Sequence, residues 1–168
     1  VLVGFDDAKK RLPNAKKIVT TGTPTKIKGI VMSQAEKDIM KKEMGLNNNL
    51  PIVLVFGGSQ GAKTINTTLT EIILNKLNNS YQIIWASGPK QYDLIKKELE
   101  EKNIDINKLE NVKIIPYIYN MEEVMNIADI IVSRSGAMTI TEIAKIGKPA
   151  IFIPFPFATE NHQEYNAR

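Results

Sequence analysis

The chain has 168 residues, 43% hydrophobic and 24% charged, with a formal net charge of +4, the profile of one globular domain with a sizeable core. Cysteine is absent and histidine occurs once, which excludes disulfides and thiolate metal sites and argues against structural zinc. No apolar run approaches the roughly 20 residues that span a membrane. The early basic residues Lys9, Lys10, Arg11, Lys16 and Lys17 are not interleaved with aromatics as a nucleic-acid surface would be, so no nucleic-acid partner is expected.

In chain order, Val1–Phe5 is strand-like and Lys17–Thr21 is a second short strand, ending in the turn Gly22-Thr23-Pro24. Residues 1–21 are expected to be the tail of a preceding domain and its linker. Residues 22–168 are expected to form one domain, incomplete at its far end, in a fragment of a longer protein. Ser33 caps a helix over about 34–44, closed by Gly45. The apolar run Ile52-Val53-Leu54-Val55-Phe56 reads as a buried parallel strand. Helices over about 62–77, 91–101 and 121–128 then alternate with strands over 81–86, 112–115, 129–132 and 150–153, with Asn120 as cap of the third helix. This alternation predicts an α/β, Rossmann-like parallel sheet with right-handed crossovers and helices on both faces.

Two strand-to-helix turns carry the chemistry. The later one, Ser133-Arg134-Ser135-Gly136-Ala137-Met138-Thr139-Ile140-Thr141-Glu142, leads into a helix stopped by Gly147. Such a turn presents backbone N–H groups and a positive helix end to an anion, with Glu142 one turn further on. Thr139-x-x-Glu142 also fits a capping box, a purely structural role.

The earlier turn, Phe56-Gly57-Gly58-Ser59-Gln60-Gly61-Ala62-Lys63-Thr64, admits three chemistries. A P-loop would need glycine where Ala62 stands, and no later strand ends in a magnesium-holding aspartate. A nucleophile elbow, Gly-x-Ser-x-Gly, is met by residues 57–61; a serine hydrolase could then use Ser59, Asp129 or Glu142 as the acid, and His162. Phosphate binding by backbone gives both glycine turns one task, holding a diphosphate between two sugars.

Gly57-Gly58-Ser59-Gln60-Gly61-Ala62, Ser135-Gly136-Ala137-Met138-Thr139-x-x-Glu142 and His162-Gln163 resemble the MurG family, the bacterial N-acetylglucosaminyltransferases that convert lipid I to lipid II in peptidoglycan synthesis. The resemblance covers most of the chain and implies the carboxyl-terminal, donor-binding half of a two-domain GT-B glycosyltransferase. It implies that Ser59 meets the diphosphate of UDP-N-acetylglucosamine, that Gln60 also binds this donor, and that the Ile118 backbone meets the uracil edge. Ala137, Met138, Thr139 and Glu142 would line the nucleotide, Glu142 on the ribose hydroxyls. Gln163, with His162, would bond the sugar. Lys26 stands where the best-known form carries arginine, which keeps the charge but not the bidentate geometry. That form has glutamine at the position of His162.

The same resemblance implies an inverting transfer with no obligatory metal or other cofactor. Helix amino ends and Lys26 would stabilise the departing UDP. The general base and the lipid I site would lie on the other domain. The implied location is cytoplasmic, peripheral on the inner face of the bacterial membrane.

Overall fold

The computed structural model describes residues 1–47, 49–58 and 61–168. Its strands are β1 (Leu2–Val3), β2 (Val19–Thr20), β3 (Ile52–Phe56), β4 (Gln82–Ala86), β5 (Val112–Ile115), β6 (Ile130–Ser133) and β7 (Ala150–Phe152). Its helices are α1 (Gln34–Glu43), α2 (Lys63–Leu74), α3 (Pro89–Glu101), α4 (Met121–Ile127), α5 (Ala137–Ile146) and α6 (His162–Asn166). β1 and β2 pair with each other in a ribbon of their own, while the other five strands form one parallel sheet in the order β5-β4-β3-β6-β7.

Strand alternation divides the core between the two sheet faces. Ile52, Leu54 and Phe56 of β3 pack with Ile84, Ile131, Met40 of α1, Val124, Met125 and Ile127 of α4, and Ile143 of α5. Val55 packs on the opposite face with Ile83, Trp85, Ile114, Ile65 and Leu69 of α2, and Ile95 and Leu99 of α3. Helices therefore cover both faces, as the alternation predicts. One polar tether crosses the second layer: Trp85 Nε1 donates to Asn66 Oδ1 at 3.0 Å, and Asn66 Nδ2 donates to the Ser87 carbonyl at 2.8 Å. A buried indole N–H and a strand-end carbonyl are satisfied by one amide, which fixes α2 against the end of β4.

Helix ends explain the shifted boundaries. α2 stops at Leu74 rather than near 77 because Lys76 enters the left-handed region (φ 52°), where Leu77 N donates to Ile72 O and Lys76 N to Ile73 O. This double bond pattern is a Schellman closure, and it leaves Leu77 exposed. Asn103 closes α3 and Gly147 closes α5 in the same way. Asn120 does not cap α4: its side-chain amide instead donates to Glu123 Oε2 at 2.8 Å.

Candidate functional site

From β3 the chain crosses to β4 and β5 on one side and then, after a reversal, returns to the other side of β3 as β6. Ligands of open α/β sheets bind outside the strand carboxyl ends at such a switch point. A crevice of about 830 Å³ opens there. Gly58 after β3, Gly88 after β4 and Ile118 after β5 form its floor. Met138, Thr139 and Glu142 of α5 form one wall, and the segment from Lys26 to Met32 forms the rim.

The glycine turn is built for close approach. A Cβ on Gly57 would overlap Ala62, and one on Gly61 would overlap the Ser87 carbonyl. Gly61 also sits at φ +77°, which L side chains adopt at a cost. Among the described residues, no side chain caps α2 or α5, whose N-cap residues are Ala62 and Gly136. Both helices thus keep amino-terminal N–H groups for an anion. Because Gly136 is the N-cap of α5, Thr139 lies inside the helix and the Thr139–Glu142 capping box does not form.

Glu142 is half-buried, and its Oε1 accepts the Thr25 hydroxyl at 3.3 Å. Thr25 Oγ1 in turn accepts the Ile27 N–H at 3.1 Å. Among the described residues Oε2 takes no hydrogen bond, so the carboxylate is oriented yet keeps acceptor capacity for a ligand. A pair of vicinal hydroxyls suits it; a phosphate would not.

Glu122 anchors the rim: its carboxylate accepts the Ile30 N–H at 2.7 Å and the Lys28 N–H at 3.0 Å. Those two backbone donors, Ile30 first, hold the Glu122 carboxyl below the usual carboxylate range. With a lowered folded-state pKa, the stabilisation is complete above the ordinary carboxylate range and is lost as pH falls through the folded-state value. Amide hydrogen exchange should therefore show Lys28 and Ile30 losing protection selectively on acidification, and Glu122→Gln should flatten that dependence. Equal, pH-insensitive protection in both proteins would contradict the anchor.

The third element is the segment from β7 to α6. Arg134 is only 9% exposed, and its NH1 donates to the carbonyls of Ile153 (3.0 Å) and Pro154 (2.9 Å). Its guanidinium lies 5.4 Å from the centroid of the Phe155 ring. Ser135 Oγ donates to the Gln163 carbonyl at 2.6 Å, and Phe155 N–H donates to Gln163 Oε1 at 2.9 Å. His162 is exposed, with Nδ1 2.8 Å from the Thr159 carbonyl.

Of the residues singled out in the sequence, Lys26, Ile118, Met138, Thr139 and Glu142 line the crevice together. Ala137 opens α5 just behind them. Gln163 and His162 lie on α6, outside the crevice lining and tied to the 155–159 loop. Ser59 and Gln60 lie outside the described residues. Among the described residues, both candidate acids of the hydrolase reading are engaged by other groups. Asp129 Oδ2 accepts the Ile52 N–H at 2.7 Å, at the amino edge of the sheet and opposite the glycine turn, while Glu142 is engaged by Thr25. Thr25 and Glu122 were not visible as site residues in the sequence, since each acts through a partner about a hundred residues away. Among the described residues, no group of three or more His, Cys, Asp and Glu side chains is placed to hold a metal ion, and no helix is long and apolar enough to cross a membrane.

A doubly wound parallel sheet with this crevice at its switch point is the architecture of a nucleotide-binding domain. Residues 52–168 match the glycosyltransferase family 28 C-terminal domain, and the chain belongs to that family. It is 44% identical over 163 residues to a Lactobacillus helveticus protein named UDP-N-acetylglucosamine--N-acetylmuramyl-(pentapeptide) pyrophosphoryl-undecaprenol N-acetylglucosamine transferase. That similarity covers 97% of this chain and 43% of the relative, so the chain spans less than half the length of the relative. The crystal structure of Acinetobacter baumannii MurG is similar at 26% identity and a TM-score of 0.64, covering 99% of this chain and 47% of that one. WaaG, a glycosyltransferase involved in lipopolysaccharide biosynthesis, shares the fold at 13% identity and a TM-score of 0.56, covering 99% of this chain and 53% of that one.

Proposed function

We propose that this chain is the donor-binding half of an inverting N-acetylglucosaminyltransferase that uses UDP-N-acetylglucosamine to convert lipid I to lipid II. The observation that carries the reading is Glu142, oriented by Thr25 with one carboxylate oxygen unclaimed among the described residues, in the crevice beside the α5 amino end. The name of the Lactobacillus helveticus relative supplies the sugar and the acceptor.

In this reading the uracil lies against the Ile118 backbone, whose amide and carbonyl take no partner within the chain among the described residues. Glu142 accepts the ribose hydroxyls. The diphosphate lies toward the amino ends of α2 and α5, with Ser59 and Gln60 on the first turn and Lys26 on the rim. As the acceptor hydroxyl attacks the anomeric carbon, the glycosidic bond to phosphate breaks and negative charge grows on UDP. Fixed N–H dipoles and the lysine ammonium stabilise that charge without reorganising, so no metal is assigned a role. Gln163 and His162, on α6 beyond the crevice lining, are assigned to the sugar. The acceptor, the general base and peripheral contact with the inner membrane face belong to the other half. Residues 1–21 belong to that preceding unit, a division supported by the separate β1–β2 ribbon.

Calorimetry with UDP-N-acetylglucosamine, UDP-glucose and ADP tests this. UDP-N-acetylglucosamine should bind most tightly and ADP not measurably. Equal affinity for ADP and the UDP-sugars would overturn the assignment.

A further inference from the structure

Arg134 is a cation in the turn between β6 and α5 with no carboxylate against it among the described residues. Its partners are two successive carbonyls and an aromatic face, all on the segment 153–155. Burial pushes the guanidinium below its ordinary pKa, so a charge is retained here against its desolvation. A side chain without N–H donors would leave two carbonyls without this partner. A lysine could reach the carbonyls but would not lay a planar group on Phe155.

The segment so held has one further partner. The Phe155 N–H donates to Gln163 Oε1. A backbone N–H can only meet the oxygen of that amide, so the Gln163 Nε2 group is turned away as a donor. Among the described residues Nε2 has no partner. Ser135 Oγ and Asn166 Nδ2, which bond the Gln163 and Ser135 carbonyls, fix the start of α6 from the same turn.

We propose that Arg134 is a positioning residue for the sugar end of the donor: by clamping residues 153–155 it sets the Gln163 amide in the orientation that donates to sugar hydroxyls. The proposal rests on the donor reading given above. It separates two kinds of contact in one site, the nucleotide held by α5 and the crevice floor, the sugar held by a loop that Arg134 keeps in place.

The test measures, in the full-length protein, the affinities for UDP and for UDP-N-acetylglucosamine and takes their ratio as the sugar's share. Arg134→Lys should leave UDP affinity within about twofold and lower the ratio about five- to tenfold, the size of one or two lost hydrogen bonds. Gln163→Ala should lower it equally, and the double variant no further. Phe155→Ala removes the ring beneath the guanidinium at an exposed position, and should act in the same direction if the arginine variant does not fold. A lower melting temperature with an unchanged ratio in both Arg134→Lys and Phe155→Ala makes Arg134 purely structural and overturns the proposal. Parallel loss of UDP and UDP-sugar affinity assigns it to the diphosphate and also overturns it. If Gln163→Ala leaves the ratio unchanged while Glu142→Ala still weakens UDP, the donor site stands and the positioning role falls. If neither variant affects either ligand, the donor reading itself falls.

Discussion

Glu142→Ala should weaken UDP binding by about tenfold to a hundredfold at 25 °C, because hydrogen bonds to a charged acceptor contribute about 1.5–3 kcal/mol. The loss should depend on the ribose. Removing the ligand's 2′-hydroxyl should cost the parent protein affinity and cost the variant little. Stability should change only slightly: Glu142 is half-buried, caps nothing, and the Thr25 hydroxyl it releases lies at the crevice rim, where water can replace it. A variant that melts early yet binds UDP and 2′-deoxy-UDP as the parent does would show Glu142 to be structural.

Gly61→Ala should have the largest effect on the fold itself. The residue is in the left-handed region, and its Cβ would overlap the Ser87 carbonyl, which already accepts from Asn66 Nδ2. Backbone strain and local overpacking together are worth about 2–5 kcal/mol. At roughly 2–4 °C per kcal/mol for a chain of this size, the melting temperature should fall by roughly 4–20 °C. Gly58→Ala is the control. That glycine has a positive φ but open space around its missing Cβ, so only the strain of about 1–2 kcal/mol applies. Equal melting of the two variants would contradict the contact between the glycine turn and the end of β4.

The sheet was legible because its strands are continuous apolar runs bounded by turn residues, and the two-face core follows from their alternation. Gly45 and Gly147 announced helix ends because glycine adopts positive φ without strain. Lys76 hid one, since nothing in its chemistry marks a left-handed residue; the closure comes from backbone bonds to Ile72 and Ile73. The same limit applied to the site. Lys26, Ile118 and Glu142, which the family resemblance singles out, meet in one crevice. Thr25 and Glu122 escaped notice because a hydroxyl and a carboxylate gain their roles only when distant chain is brought beside them. Asp129 was a candidate acid by chain order, but strand polarity places it at the opposite edge from the glycine turn.

The strand order has a consequence for how the molecule assembles. Val53 pairs with Ile83, and Ile83 with Val112, across loops of similar length; Val53 meets Ile130 only after the chain has passed through both of those strands. Each doubling of loop length adds about 0.6 kcal/mol of closure entropy, so pairing among β3, β4 and β5, and between β6 and β7, closes more cheaply than pairing of β3 with β6, which joins the two blocks. The crevice is lined from both blocks, its floor at Gly58 and Ile118 from the first and its α5 wall from the second. In the proposed reading, a nucleotide lying across that seam would be bound by the joined molecule and not by either block alone. By mass action it would add about 2.7 kcal/mol to folding at a hundred times its dissociation constant, all of it charged to the final docking step.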